Sequence, residues 1–373
     1  MLKKNNNVRQ SNFEVMRIIS MLFVVMWHLI LHGGLYEVGG TVKFVLEFFV
    51  LFGVVHINSF VLVAGYFQYN KEFSLRKFLK IVILTWFYKV LFVLLFYFLG
   101  LADITKVELL KELLPIDFRD YWYINCYLLL YLLTPWLNKL IRCMSQKEYR
   151  KLLIVGFVVF SIIPLVTNQG TVANNGYTIV HFMYMYLIGA YLRKYPIDKN
   201  VHFINYSKNK KQILFLAISL FCLIFNFMTL QFSHSLVVMD NSLLREIGSY
   251  LFNNNRLYSN PVVIVQSIFY FLYFSTLEIK NSKINFVSRV VLDVYLIHEN
   301  YYMIFYIYEV LQTKIWGQFG LYNLILLVIM WTLIIFIACI LLGLIRDFIF
   351  DFVGRRRLFV KTQDKFYNYL ERF

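Results

Sequence analysis

Charged side chains make up only 16% of the 373 residues, where a soluble globular domain carries about a quarter. Acidic groups are the scarcer sign: 21 Asp and Glu stand against 37 Lys and Arg, a net charge of +16. The basic excess lies in short clusters between apolar runs rather than in one arm or on one face. That distribution excludes a nucleic-acid footprint and leaves an orientation signal for a membrane. Cysteine is sparse too. Cys126, Cys143, Cys222 and Cys339 fall in different apolar runs, with no CxxC and no Cys/His ligand spacing, so neither a disulfide framework nor a zinc site is expected. Heptads, low-complexity tracts and an internal repeat are absent, which argues against a coiled coil, a disordered linker and a solenoid.

What is present is apolar: 60% of residues are hydrophobic, with 28 Tyr and 38 Phe. Runs of membrane-spanning length lie near 13–32, 44–66, 78–100, 122–141, 151–168, 177–192, 211–230, 262–279, 285–309 and 320–346. They predict an all-α, polytopic membrane bundle of about ten transmembrane helices in a single domain, residues 1–346. Assigning alternate loops to alternate sides puts Lys71, Arg76, Lys77 and Lys80, then Arg142, Lys147, Arg150 and Lys151, then Arg193, Lys194, Lys199, Lys208, Lys210 and Lys211 on one side. Lys280, Lys283, Arg346 and the run Arg355-Arg356-Arg357 join them, whereas the opposite side has little beyond Lys43 and Lys314. Both termini are therefore expected in the cytoplasm, with the protein multi-pass in the plasma membrane and the lipid bilayer as its surroundings.

The stub before the first run is basic and Asn-rich without a small-residue cleavage pattern, so that run reads as a retained span. The basic, aromatic tail, 347–373, reads as a strip on the inner leaflet. Two outer segments exceed plain connectors. One, 101–121, carries Asp103, Glu108, Glu112, Asp117 and Asp120, and the other, 231–261, is rich in Asn and Ser. Ser11-Asn12-Phe13-Glu14 predicts a capping box that opens the first helix.

The first span places an arginine and a histidine ten residues apart, Arg17 and His28. Eleven helical steps advance about 16–17 Å and turn roughly three revolutions, so both side chains share one face. Ionisable groups at membrane depth cost about 2.5–3.5 kcal/mol each on insertion scales and normally face protein or a wet cavity. Arg17 alone is equally well explained as a snorkelling interfacial residue paired with Glu14, three positions before it. His28, in the outer half of the span, is not.

This arrangement resembles the acyltransferase-3 family of bacterial membrane proteins, whose hallmark is an Arg-x10-His signature in the first helix. The segment Phe13-Glu14-Val15-Met16-Arg17-Ile18-Ile19-Ser20-Met21 is similar to that family's context. Similar too are Val61-Leu62-Val63-Ala64-Gly65-Tyr66-Phe67 (with Ala64 where Ser is commoner), Tyr121-Trp122-Tyr123-Ile124-Asn125-Cys126-Tyr127 leading to Thr134-Pro135, and Tyr295-Leu296-Ile297-His298. The family's Arg-x-x-Arg pair in the first cytoplasmic loop is replaced by Lys77-Phe78-Leu79-Lys80 after Arg76, which keeps phosphate-binding charge but loses the bidentate fork. No appended extracytoplasmic hydrolase-like domain is recognisable.

The resemblance implies an O-acyltransferase, above all an O-acetyltransferase, that moves an acyl group from cytoplasmic acyl-CoA, acetyl-CoA first, to a hydroxyl of a surface polysaccharide or lipid-linked oligosaccharide. Arg17, Arg76, Lys77 and Lys80 are then expected to hold the donor, His28 to act as general base, and Glu47, at similar depth on the returning second helix, to orient it. Trp122, Asn125, His298 and Glu299 are expected at the acceptor, although aromatic belts and structural pairing explain such residues equally well. His56, Asn58 and Ser59 read as interhelical hydrogen-bonding residues. His32 shares a face with His28, but two histidines without a third ligand at helical spacing give no metal site, and no metal is expected. A transporter or flippase of lipid-linked glycans, or a glycan polymerase, is the alternative, but the paired interrupted helices or two-fold repeat of many transporters are not visible. The oligomeric state stays open, a homo-oligomer included.

Overall fold

The computed structural model describes residues 10–35, 39–114, 121–167, 174–197 and 203–354. Asp117, Asp120, Lys199, the stub before residue 10 and the tail from 355 onward lie outside the described residues. Among the described residues the chain is all-helical, with no strand. In order come α1 (Ser11–His32), α2 (Gly40–Gln68), α3 (Leu75–Leu99), α4 (Lys106–Glu112) and α5 (Trp122–Cys143). Then α6 (Gln146–Phe157) passes through one π-helical turn, Val158–Ile162, into α7 (Ile163–Thr167). There follow α8 (Ile179–Lys194), α9 (Lys208–Val237), α10 (Ser242–Asn254), α11 (Pro261–Thr276), α12 (Ser282–Val287), α13 (Val291–His298), α14 (Tyr301–Leu311) and α15 (Leu321–Gly354).

Among the described residues six helical stretches are long and apolar enough to cross a membrane: Ser11–His32, Gly40–Gln68, Leu75–Leu99, Gln146–Val166, Lys208–Val237 and Leu321–Phe352. The other apolar runs are helical as well but fall short for physical reasons. The 16 residues of α8 rise about 24 Å, less than the roughly 30 Å hydrocarbon core. The run read at 285–309 is broken, because Asn300 ends α13 and caps α14 by accepting the Tyr302 N–H at 3.1 Å.

That break shows how irregular backbone is tolerated inside a helical bundle. The Asn300 N–H bonds to Ile297 O rather than continuing the α pattern, which leaves the Leu296 carbonyl without its usual helical donor. Tyr121 fills the gap: its hydroxyl donates to Leu296 O at 2.6 Å and accepts from Asn300 Nδ2 at 3.0 Å. Tyr121 itself adopts φ 50°, ψ 50°, a left-handed conformation that a bulky side chain holds only when its surroundings over-determine it.

The start of α1 departs from expectation. Ser11 does not cap its own helix. Its hydroxyl accepts the Asn281 N–H at 3.0 Å, and Asn12 Nδ2 donates to Phe274 O at 2.9 Å. The tertiary contact with the α11–α12 turn takes the donors and acceptors that a capping box would use, and Glu14 is free to pair with Arg17.

α2 crosses α8 closely at Gly65 and Gly189. A Cβ on Gly65 would meet Tyr186 O at 2.1 Å, and one on Gly189 would meet Leu62 O at 2.2 Å. Small residues at such crossings are how membrane helices gain contact without a hydrophobic driving force. The segment after α3, expected on the outer side, is also more than a connector. Running back along α3, α4 lets Glu112 meet Lys89 at 3.3 Å and lets the Leu113 carbonyl accept from Trp86 Nε1 at 2.8 Å.

α13 is fixed by a buried charge network. Tyr88 Oη donates to Asp293 Oδ1 at 2.7 Å, and Arg346 Nε donates to the same oxygen at 2.8 Å. The sequence reading placed Arg346 in a terminal loop, but α15 continues to Gly354 and buries it. Removing one partner of such a pair strands the other charge at a cost of roughly 3–5 kcal/mol. Arg346→Met is therefore expected to aggregate or unfold at markedly lower temperature in detergent, and Asp293→Asn combined with Arg346→Met to recover most of the loss. Thermal unfolding followed by size-exclusion chromatography tests this, and a single variant as stable as wild type would contradict it.

Candidate active site

α1 and the α13–α14 break bring together four ionisable side chains. His28 Nδ1 lies 2.6 Å from Glu299 Oε2 and 3.0 Å from His298 Nε2. His32, one turn further along α1, places Nε2 3.4 Å from Glu299 Oε1. His28 and His298 are buried, at 7% and 1% exposure, so their partners decide their chemistry.

The hydrogen bonds assign the tautomers. His298 Nδ1 contacts the Val294 carbonyl at 2.5 Å, an acceptor only, so Nδ1 carries the proton and Nε2 presents a lone pair. His28 Nδ1, flanked by that lone pair and by the Glu299 carboxylate, must be the donor. Nε2 of His28 is then the unprotonated nitrogen. Nδ1–H held on His298 Nε2, with the Glu299 carboxylate paired beside it and Nε2 unprotonated, is an arrangement that lets an imidazole accept a proton and stabilises the imidazolium that results.

Below this cluster, toward the α1 N-terminus, lies a cavity of about 230 Å³. Arg17 and Arg289 line it at one end. Val24 and Tyr295, each about one turn below His28 and Glu299, line it at the other, with Ile57, Phe60, Tyr123 and Tyr127 between. Arg17 pairs with Glu14 at 3.4 Å, as the spacing predicts, yet remains over a third exposed. The turn after α2 adds charge: burial, then the neighbouring Lys77, Arg193 and Arg17, hold the Lys71 ammonium below its ordinary range. Three cations close enough to Lys71 to oppose its charge form with it a field suited to a polyanion.

On the far side of the cluster a larger cavity of about 770 Å³ is lined by His32, Gly33, Tyr301, Tyr308 and Glu309 among others. A neighbouring one of about 250 Å³ shares Tyr301, Phe305 and Glu309 with it and adds Asp103 and Glu108. The His28–Glu299 pair thus sits about one turn above the cavity that Arg17 and Arg289 line and one turn below the cavity that His32 lines, without itself lining either.

Several expected residues lie elsewhere. The carboxylate beside His28 is that of Glu299; Glu47, expected to orient His28, has Oε1 2.7 Å from His234 Nε2 and Oε2 accepting from Gln231 Nε2 at 2.8 Å, both on α9. Trp122 stacks on Tyr258, centroids 5.8 Å apart, and leans on Tyr177 at 4.8 Å. Neither Trp122 nor Asn125 lines the outer cavities. Arg76, Lys77 and Lys80 are exposed at the start of α3, outside the lower cavity's lining. Asn58 does bridge helices, donating to Tyr258 O at 3.0 Å and meeting His181 Nε2 at 2.8 Å. Ser59 bonds only within α2, to Val55 O, and His56 sits among the rings of Phe23, Phe52 and Tyr270. The sequence reading missed Arg289, Lys71 and Arg193. Lys71 and Arg193 enter only the topology and Arg289 does not enter it at all, and nothing in the chain's order indicates that Arg289 shares a cavity with Arg17 or that Arg193 and Arg17 both approach Lys71.

A family profile described as an acyltransferase domain matches residues 10–345. No curated protein and no solved structure matches the chain.

Proposed function

The chain belongs to this acyltransferase family, and on that premise we propose that it is a membrane O-acyltransferase drawing an acyl group, acetyl first, from cytoplasmic acyl-CoA and placing it on a hydroxyl of an extracytoplasmic polysaccharide or lipid-linked glycan. The observation that carries this reading is the buried His28 paired with Glu299, one helical turn from a cavity that has Arg17 and Arg289 at its other end and one turn from a second cavity lined by His32. Phosphates of the donor sit among Arg17, Lys71, Lys77, Arg193 and Arg289, and the thioester arm rises through the apolar cavity. That arm, on the order of 15–20 Å, matches the roughly 16–17 Å from Arg17 to His28 along the helix. The acceptor enters from the outer cavity, whose tyrosines stack on sugar faces and whose Glu309 accepts hydroxyl hydrogen bonds.

In the transfer, the acceptor oxygen attacks the thioester carbonyl carbon while its proton passes to His28 Nε2. The tetrahedral adduct collapses, the carbon–sulfur bond breaks, and His28 returns the proton to the departing thiolate. Glu299 keeps Nδ1 protonated throughout and offsets the charge on the ring. His298 and Asn300 hold the geometry from the break in the helix.

The donor half is tested by acyl-CoA affinity of the purified protein at two salt concentrations. Arg17→Ala is expected to bind at least tenfold more weakly than wild type. Arg17→Lys is expected to fall between them, because it keeps the charge but loses the planar fork. The differences should shrink as salt screens the field. Equal affinity in all three would reduce Arg17 to an interfacial anchor for Glu14.

A further inference from the structure

We propose that His28, His32 and Glu299 form a divalent transition-metal site, with zinc as the fitting ion, and that its occupancy switches acyl transfer off. The donor atoms of these three side chains all lie within 4.8 Å of one another. His28 and His32 are one helical turn apart, the i, i+4 spacing that puts two imidazoles on one metal. Glu299 supplies the third ligand that the sequence does not reveal, from a position 267 residues later, because the helix break turns its carboxylate back onto α1.

The distances suit zinc. Bonds of about 2.0–2.1 Å in a tetrahedron set neighbouring donors roughly 3.3 Å apart, and His32 Nε2 stands 3.4 Å from Glu299 Oε1. His28 Nδ1 and Glu299 Oε2, 2.6 Å apart, share a proton that the metal replaces, since ligands bind deprotonated. His298 Nε2, 3.0 Å from His28 Nδ1, is not one of the three mutually close donors, and the fourth position is open to water. The outer cavity, lined by His32, gives the ion a path from the aqueous side.

Only the consequence for activity rests on the transferase reading. A metal on His28 Nδ1 and Glu299 displaces the carboxylate–imidazole bond that makes Nε2 a base, so acceptor deprotonation stops. Binding itself requires neither donor nor acceptor.

The experiment strips the full-length protein in detergent with a chelator and titrates zinc by calorimetry, with Co²⁺ as a spectroscopic stand-in. Wild type is expected to bind one zinc per chain, and the Co²⁺ form to show the intense visible absorption of four-coordinate geometry. His32→Ala and the near-isosteric Glu299→Gln should each weaken binding at least tenfold. His234→Ala, which removes the separate Glu47 partner, should leave it unchanged and shows that the chain has kept its fold. In the transfer assay zinc should inhibit wild type reversibly on chelation, and the inhibitory concentration should rise at least tenfold in His32→Ala relative to that variant's own uninhibited rate. No zinc binding, or affinity equal in wild type, His32→Ala and Glu299→Gln, overturns the site. Zinc that binds as expected but activates transfer overturns the switch. A protein that acylates nothing under any condition contradicts the transferase reading and leaves the binding result standing.

Discussion

Glu299→Gln is expected to lower acyl transfer by about 10²–10⁴-fold while the protein reaches the membrane in normal amount. Gln occupies nearly the same volume, so packing at the α13–α14 break survives. What disappears is the negative charge 2.6 Å from His28 Nδ1. The amide either accepts weakly from Nδ1–H or turns its NH₂ toward the ring and imposes the other tautomer, which hides the lone pair that Nε2 must present. Acyl-CoA affinity should stay within a few-fold of wild type, because Arg17 and its neighbouring cations lie about three turns away. Transfer at near-normal rate would mean that Glu299 is a structural partner and not the group that prepares His28.

His28→Ala should eliminate detectable acylation altogether. Its side chain contacts Glu299, His298 and the rings of Trp27 and His32, and both Glu299 and His298 keep a second partner when it is removed. His298 keeps the Val294 carbonyl, and Glu299 keeps His32. Mass spectrometry of surface glycan from cells expressing the variant at wild-type abundance is the measurement. Glu47→Gln is the informative companion: its carboxylate serves His234 and Gln231 on α9, so acylation should fall by no more than a few-fold.

The contrast between Glu47 and Glu299 shows what the chain's order can convey. Helical spacing sufficed to put Arg17 and His28 on one face, and the apolar runs located each long helix, because both depend on residues close in sequence. Depth alone then pointed to Glu47, since a returning helix places it level with His28. Depth does not specify which face it presents, and the face of α2 is decided by the Gly65–Gly189 crossing with α8. Glu299 belongs to a helix that the hydropathy pattern reads as continuous. Its orientation comes from a break that Asn300 caps and Tyr121 satisfies from 175 positions away. The cationic mouth is half visible for the same reason: Lys77 and Arg193 are legible as charges on one side, but their meeting with Arg17 around Lys71 is a product of tertiary packing.

The central claim, that an acyl group enters beside Arg17 and leaves on the other face by way of His28, is tested most directly in sealed inverted membrane vesicles holding the native glycan in the lumen. Acetyl-CoA carrying a labelled acetyl group does not cross the bilayer, so adding it outside presents the donor only to the cytoplasmic face. Wild type should transfer label to luminal glycan, and His28→Ala and Glu299→Gln vesicles with equal protein content should transfer little or none. Label that appears equally with His28→Ala, or only when the donor is supplied to the opposite face, would contradict the account.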